Sequence, residues 1–235
     1  MEKIRLNKFL RDAGAGSRRK VEELILNGDV SVNGKIQKEL STLVSAEDVV
    51  FLKGKKVQVL EEKFYYLLNK PRGYHCTHSR VHADKIVYDL MPKNQGLFTV
   101  GRLDKDTEGL LIFTNDGDFA NKVIHPSSDI QKEYVAHTYE EVKPSNLQRI
   151  KDGTIVENTF VRPEKVVKLG DRIVKIVVKE GKKREVRILL NDAGLKVESL
   201  TRTKIGELTL GNLGLSQVKA LSDAEKELIF SVGKK

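Results

Sequence analysis

The order of apolar and polar residues sets out two regions with different rhythms. Leu6, Phe9, Leu10 and Ala13 recur at helical spacing, and Gly14-Ala15-Gly16 breaks that helix. Ser17 is placed to cap a second helix whose apolar stripe is Val21, Leu24 and Ile25. The period then drops to two. Val30-Ser31-Val32-Asn33-Gly34-Lys35-Ile36 predicts two short strands around an Asn-Gly turn, and Val49–Leu52, Gly54 and Val57–Leu60 predict a second hairpin. Lys53 to Lys63 is charged and carries a glycine, which places a domain boundary near residue 62, dividing the chain into domains 1–62 and 63–235.

Beyond that boundary longer strands mix with helices. Tyr65–Leu68, Leu110–Thr114, Tyr134–Thr138, Val161–Val167 and Arg172–Val178 read as strands. Helices are predicted at Asp118–Ile124, at Ser145–Ile150 behind Pro144, and at Arg184–Ala193 ended by Gly194. A last helix, Asp223–Phe230, starts with Ser222 and Glu225 in capping-box spacing. Strand and helix do not alternate strictly, so the second region is expected to be α+β with a mixed sheet.

Composition narrows the classes. A chain of 235 residues has room for one large domain, or one medium and one small, and needs no disulfide staples. With 39% hydrophobic and 32% charged residues, wholesale disorder is excluded. No apolar run approaches the roughly 18–20 residues of a spanning helix. Cys76 has no internal disulfide partner and Met1-Glu2-Lys3-Ile4-Arg5 lacks the apolar core of a secretory leader, so the cytoplasm is the expected compartment. The net charge of +9 favours an anionic partner: nucleic acid, anionic lipid or phosphorylated metabolites. Residues 1–20 concentrate it, with seven bases (Lys3, Arg5, Lys8, Arg11, Arg18, Arg19, Lys20) against Glu2 and Asp12.

Candidate chemistry is sparse. His75-Cys76-Thr77-His78 with His82 has a spacing that can bind zinc, but it follows the turn Lys70-Pro71-Arg72-Gly73 and no second ligand pair exists, so a polar loop without metal is expected. There is no Gly-x-Ser-x-Gly elbow, no phosphate loop and no Gly-x-Gly-x-x-Gly fingerprint, which disfavours nucleotide-triphosphate and dinucleotide cofactors. The informative stretch runs from Gly101 to Gly117: a polar loop, Gly101-Arg102-Leu103-Asp104-Lys105-Asp106, leading into the strand Leu110–Thr114. An acid between Arg102 and Lys105 stays ionised, as a carboxylate nucleophile requires. Pattern alone favours the plainer reading, a surface ion pair.

These residues carry a resemblance. The whole chain resembles the bacterial ribosomal-RNA pseudouridine synthases of the RsuA/RluB type. Residues 1 to about 60 are similar to the small RNA-binding module of the fourth small-subunit ribosomal protein, through Arg5-Leu6-Asn7-Lys8-Phe9-Leu10, Gly16-Ser17-Arg18-Arg19 and Val32-Asn33-Gly34-Lys35. The remainder matches at Leu68-Asn69-Lys70-Pro71-Arg72-Gly73, at Gly101–Gly117, at Lys132-Glu133-Tyr134 and at Glu180-Gly181-Lys182-Lys183-Arg184-Glu185-Val186-Arg187.

The resemblance implies a mixed, largely antiparallel sheet with flanking helices, and isomerisation of a ribosomal-RNA uridine without any cofactor. Asp104 would be the nucleophile, leaving open whether it attacks the sugar, adds to uracil or assists removal of a sugar proton. Arg102 would displace the target base or fill its place in the stack. Tyr134, on pattern alone a core tyrosine of a strand, would pack against the flipped uracil, with a part in proton transfer left open. Arg187 would pair with Asp104, and Ile188 or Leu189 would line the uracil pocket. Glu185 and Ile188 depart from the family's usual Gln and Arg. Arg5, Lys8, Arg18, Arg19 and Lys20 would meet the RNA backbone, and Lys70 would position backbone or touch phosphate. The partner implied is a ribosomal RNA stem-loop, bound by a monomer, with no membrane involved. An RNA-binding or assembly factor with a vestigial site is the alternative class, and the presence of Asp104, Tyr134 and Arg187 argues against it.

Overall fold

The computed structural model describes residues 3–58, 62–81, 83–93 and 96–231. His82 and the last residues of the predicted second hairpin, 59 and 60, lie outside the described residues. Two units separate: Met1–Phe64 with Lys93–Phe98 and Thr114–Gly117, and Tyr65–Pro92 with Thr99–Phe113 and Asp118–Lys235.

The first unit opens with β1 (Ile4–Arg5), α1 (Leu6–Asp12) and α2 (Arg18–Leu26), followed by β2 (Val30–Val32), β3 (Lys35–Gln37), β4 (Leu43–Val44), β5 (Val50–Leu52) and β6 (Lys55–Val57). The Ser17 hydroxyl accepts from the Lys20 N–H at 3.3 Å, satisfying one of the unpaired donors at the start of α2. Asn33 and Gly34 both take positive φ, 50° and 80°, the geometry of a two-residue hairpin turn. Strands β3-β2-β5-β6 form one antiparallel sheet, and β1 pairs with β4. Leu6, Leu10, Val21, Ile25, Val30, Val44 and Val50 fill the core. In the same unit the Asn115 side chain accepts from the Phe64 N–H at 2.8 Å and donates to the Glu62 carbonyl at 2.9 Å. It thus grips the segment that leads out of the unit.

The second unit is built on a nine-stranded sheet. Its elements are β7 (Tyr65–Lys70), β8 (Phe98–Val100), β9 (Thr107–Thr114), α3 (Gly117–Ile124), β10 (Lys132–Thr138), α4 (Pro144–Asp152), β11 (Thr154–Val156), β12 (Thr159–Val161), β13 (Lys165–Gly170), β14 (Ile173–Val178), α5 (Glu185–Asp192), β15 (Val197–Ile205), β16 (Leu208–Thr209), β17 (Val218–Ala220) and α6 (Asp223–Phe230). The strand order is β13-β14-β10-β15-β9-β7-β17, with β16 on β15 and β8 on β9, while β11 and β12 form a separate hairpin. Most ladders are antiparallel, but β15 and β9 run parallel, so the expected α+β class with a mixed, largely antiparallel sheet is what forms. Leu110, Leu111, Ile112 and Phe113 are all fully buried, so β9 is enclosed on both faces.

One predicted strand is corrected. Val161–Val167 is not continuous: β12 ends at Val161 and β13 begins at Lys165. Pro163 lies between them, and proline has no N–H to continue a ladder. At α6 the predicted capping box is present, with Ser222 and Glu225 satisfying each other's backbone N–H groups.

Candidate active site

The loop that carries Asp104 connects β8 to β9, and its shape is held from beneath by a buried cation. Lys70, at the end of β7, has no exposed surface. Its ammonium donates to the carbonyls of Pro71 (3.0 Å), Asp104 (3.1 Å), Lys105 (3.3 Å) and Thr107 (2.8 Å). Three N–H groups spread over four acceptors leave none of those carbonyls orphaned. Burial pushes the Lys70 pKa down, opposed by the nearby Cys76, Asp106, Glu108 and Asp104. The Gly73 N–H also donates to the Lys105 carbonyl at 2.9 Å, and the Leu103 N–H points at Cys76 Sγ at 3.4 Å.

With its backbone fixed, the loop aims side chains into a cavity of about 460 Å³ in the second unit. Arg102, Asp104 and Thr107 come from the loop and the start of β9, Tyr134 from β10, and Lys182, Arg184, Glu185 and Arg187 from the β14–α5 turn and α5. His75 and Cys76 complete the wall, with Val178, Val186 and Leu200 as apolar lining. The Asp104 carboxylate makes no hydrogen bond or ion pair among the described residues, so its oxygens remain available. Thr107 N–H instead donates to the Asp104 carbonyl at 3.1 Å, closing the turn below it. Arg102 is exposed at the rim.

The approach of β9 to β15 is unusually close. Gly109 takes φ +101°, and a Cβ there would lie 2.3 Å from the Arg202 carbonyl oxygen. This explains the glycine that follows Thr107 by two residues: no other side chain allows β15 to lie alongside at that point.

Three expectations are corrected. Of the two expected roles of Lys70, phosphate contact falls away, because the side chain is fully buried and its hydrogens are committed to carbonyls, while the backbone-positioning role fits the Asp104 loop. Arg187 does not form a direct pair with Asp104. Its Nη2 donates to the Asp106 carbonyl at 2.9 Å and lies 3.4 Å from Thr107 Oγ1, and Asp104 and Asp106 act on it only through space. Burial lowers the Arg187 pKa first, followed by repulsion from Arg184. Neither Ile188 nor Leu189 lines the cavity; Leu189 is 1% exposed in the core, and Val178, Val186 and Leu200 provide the apolar wall.

Other residues gain a place that pattern reading does not give them. Glu185 is buried at the start of α5, and its Oε2 accepts from the Lys182 N–H at 2.9 Å. Burial raises its pKa, with that hydrogen bond pulling the other way. Lys132, half-buried on β10, donates to the Lys179 carbonyl at 2.7 Å, and burial together with the Arg202 charge lowers its pKa to about 8. His75 and Cys76 stand in the cavity wall and His78 stacks on Tyr88 with ring centroids 3.7 Å apart, so these residues do not converge as ligands. Among the described residues no group of three His, Cys, Asp or Glu side chains is placed to hold a metal ion. No helix among them is long and apolar enough to cross a membrane. Of the predicted basic contacts in the first unit, Arg5, Arg18, Arg19 and Lys20 are exposed and Lys8 is half-buried.

The RNA pseudouridylate synthase family model matches residues 64–192, and the S4 domain model matches residues 4–50. The chain is 38% identical over 229 residues to the ribosomal large subunit pseudouridine synthase B of Bacillus subtilis, covering 94% of this chain and 93% of that one. It is 37% identical over 240 residues to an RNA pseudouridine synthase of Aquifex aeolicus, covering 98% and 95%. A chloroplast relative from Arabidopsis thaliana is 38% identical over 242 residues, and the match spans 94% of this chain and 59% of that longer protein. A crystal structure of a pseudouridylate synthase superposes with a TM-score of 0.71 at 27% identity, covering 96% of this chain and 99% of that one. The chain belongs to the RNA pseudouridine synthases, enzymes that isomerise uridine to pseudouridine in RNA, and it carries an S4 domain ahead of the synthase domain.

Proposed function

We propose that this chain converts one uridine of a ribosomal RNA stem-loop to pseudouridine, with Asp104 as nucleophile and without a cofactor. The observation that carries the reading is the cavity. Residues far apart in sequence (Arg102, Asp104, Tyr134 and Arg187) line one space, and the Asp104 carboxylate is free within it. The isomerisation breaks the glycosidic bond to the uracil nitrogen and forms one to carbon. The hydrogen on that carbon leaves to solvent, and a proton goes to the freed nitrogen. Nothing is consumed, and a carboxylate can bond to an electrophilic carbon and leave again.

A uridine stacked in RNA cannot reach Asp104, so the nucleotide is flipped out, at a cost of a few kcal/mol. Arg102, exposed at the rim, takes the vacated place with its planar guanidinium. Tyr134 packs against the extruded uracil. Arg187 keeps positive charge near Asp104 while tying down the backbone at Asp106. Residues 1–62 act as the docking domain through Arg5, Lys8, Arg18, Arg19 and Lys20, and residues 63–235 carry out the chemistry as a cytoplasmic monomer.

The test uses ribosomal RNA tritiated at the uracil carbon that becomes the glycosidic one. Wild type is expected to release tritium, and Asp104→Asn to release none above background while melting at the wild-type temperature. Equal release from both would remove Asp104 from the chemistry.

A further inference from the structure

Arg202 occupies a position that the fold does not explain. It stands on β15 directly opposite Tyr134 on β10, and only 4% of it is exposed. Its Nε donates to the Leu110 carbonyl at 2.8 Å, its Nη1 lies 3.5 Å from the Tyr134 hydroxyl, and its Nη2 is sealed from solvent with no acceptor. Among the described residues it has no carboxylate within ion-pairing distance, and the other cation nearby, Lys132, repels it. A buried charge with no counter-ion and an unmade hydrogen bond is destabilising, and an apolar side chain of similar length would avoid both penalties at the cost of the single bond to the Leu110 carbonyl. Such an arrangement calls for a functional reason.

The direction of the hydrogen bond supplies one. A guanidinium has donors only, so the Tyr134 oxygen must accept from it, and the hydroxyl hydrogen points away from Arg202. No other described residue hydrogen-bonds that hydroxyl, and Tyr134 lines the cavity. We propose that Arg202 is a positioning residue for the isomerisation. By occupying a lone pair of the Tyr134 oxygen, it turns the hydroxyl into a hydrogen-bond donor aimed at an oxygen acceptor of the flipped uridine. Its uncompensated charge also strengthens that donor as negative charge gathers on the acceptor during bond breaking. This inference rests on the reading of the cavity as the site of uridine isomerisation.

A double-mutant cycle with Tyr134→Phe tests it, with pseudouridine formation followed at saturating ribosomal RNA. Arg202→Met is expected to lower kcat by about tenfold to a hundredfold, the range for removal of a charge-assisted hydrogen bond, with KM changed less than about threefold. In the Tyr134→Phe background the same change should have almost no further effect, because the hydroxyl it orients is gone. Losses that multiply, or a fall in kcat that follows a fall in melting temperature, would overturn the role of Arg202. If Arg202→Met does not fold, Arg202→Lys serves in its place: it keeps the charge but not the fork, and its effect must again vanish without the Tyr134 hydroxyl. A wild-type protein that forms no pseudouridine would instead overturn the reading of the cavity, a result distinct from an active wild type with multiplying losses.

Discussion

The two units use cations in opposite ways. In the first unit Arg5, Arg18, Arg19 and Lys20 lie on the surface, and the pairs that form are loose: Arg18 with Glu22 at 3.4 Å and Lys20 with Glu23 at 3.1 Å, each within about one turn of α2. Exposed pairs of this kind add little to stability, so these side chains are free to exchange a carboxylate for a phosphate. In the second unit Lys70 and Arg202 are hidden, and their hydrogens go to backbone carbonyls and a tyrosine hydroxyl instead of carboxylates. The net charge of +9 adds both kinds together. The first kind suits a polyanion, and the second holds the Asp104 loop and Tyr134, which line the cavity.

The largest effect that would break this contrast lies at Lys70. Lys70→Met removes the ammonium shared by the carbonyls of Pro71, Asp104, Lys105 and Thr107, leaving the Asp104 and Lys105 carbonyls only their backbone donors, Thr107 and Gly73, in a place water reaches poorly. The expected loss is on the order of 3–5 kcal/mol in urea unfolding, with activity abolished because the Asp104 loop loses its support. A loss below about 1 kcal/mol with activity intact would show that the buried ammonium is not what shapes the loop.

A pair of glycines gives a middle-sized test. Gly34 in the first unit has φ +80°, and a Cβ added there would meet no atom within 4 Å, whereas Gly109 combines φ +101° with the Arg202 backbone at 2.3 Å. Gly34→Ala should therefore cost only the backbone term, about 1 kcal/mol. Gly109→Ala should cost more than about 2 kcal/mol, because β15 must move and carry Arg202 with it. Equal losses in thermal unfolding would mean that the close approach of β9 and β15 is not rigid.

The sequence is legible wherever side-chain periodicity agrees with burial. Both N-terminal helices, the Asn33-Gly34 hairpin, the core strand Leu110–Thr114 and the capped last helix all follow from spacing and local turn chemistry. Strand β15 does not stand out, because a residue of its inward-facing row is a charged one, Arg202, between Leu200 and Ile205. Periodicity alone assigns no element there, since the carbonyl and hydroxyl that receive the guanidinium come from β9 and β10, distant in sequence. The same limit applies to Lys70. As one more cation near a Pro-x-Gly turn it reads as a backbone-positioning residue or a phosphate contact, and only the convergence of four carbonyls upon it decides for the first. Asp104, Arg102, Tyr134 and Arg187 emerge through family motifs. Spacing alone does not separate Asp104 from a surface ion pair or Tyr134 from a core tyrosine.

The smallest expected effect on the fold, and the sharpest on binding, lies on α2. Replacing Arg18, Arg19 and Lys20 together by Ala removes three exposed bases and two loose ion pairs while leaving Val21, Leu24 and Ile25 in the core, so the unfolding midpoint should not move measurably. Affinity for ribosomal RNA should fall, and the slope of log affinity against log salt should decrease by roughly 0.7–0.9 for each phosphate no longer neutralised. At saturating RNA the chemical step should be unchanged, because none of the three residues lines the cavity. Unchanged affinity and salt slope would take α2 out of the RNA interface. A slower chemical step at saturation would mean instead that the first unit sets the position of the uridine at Asp104 as well as capturing the RNA, and the division of labour between exposed and buried cations would fail.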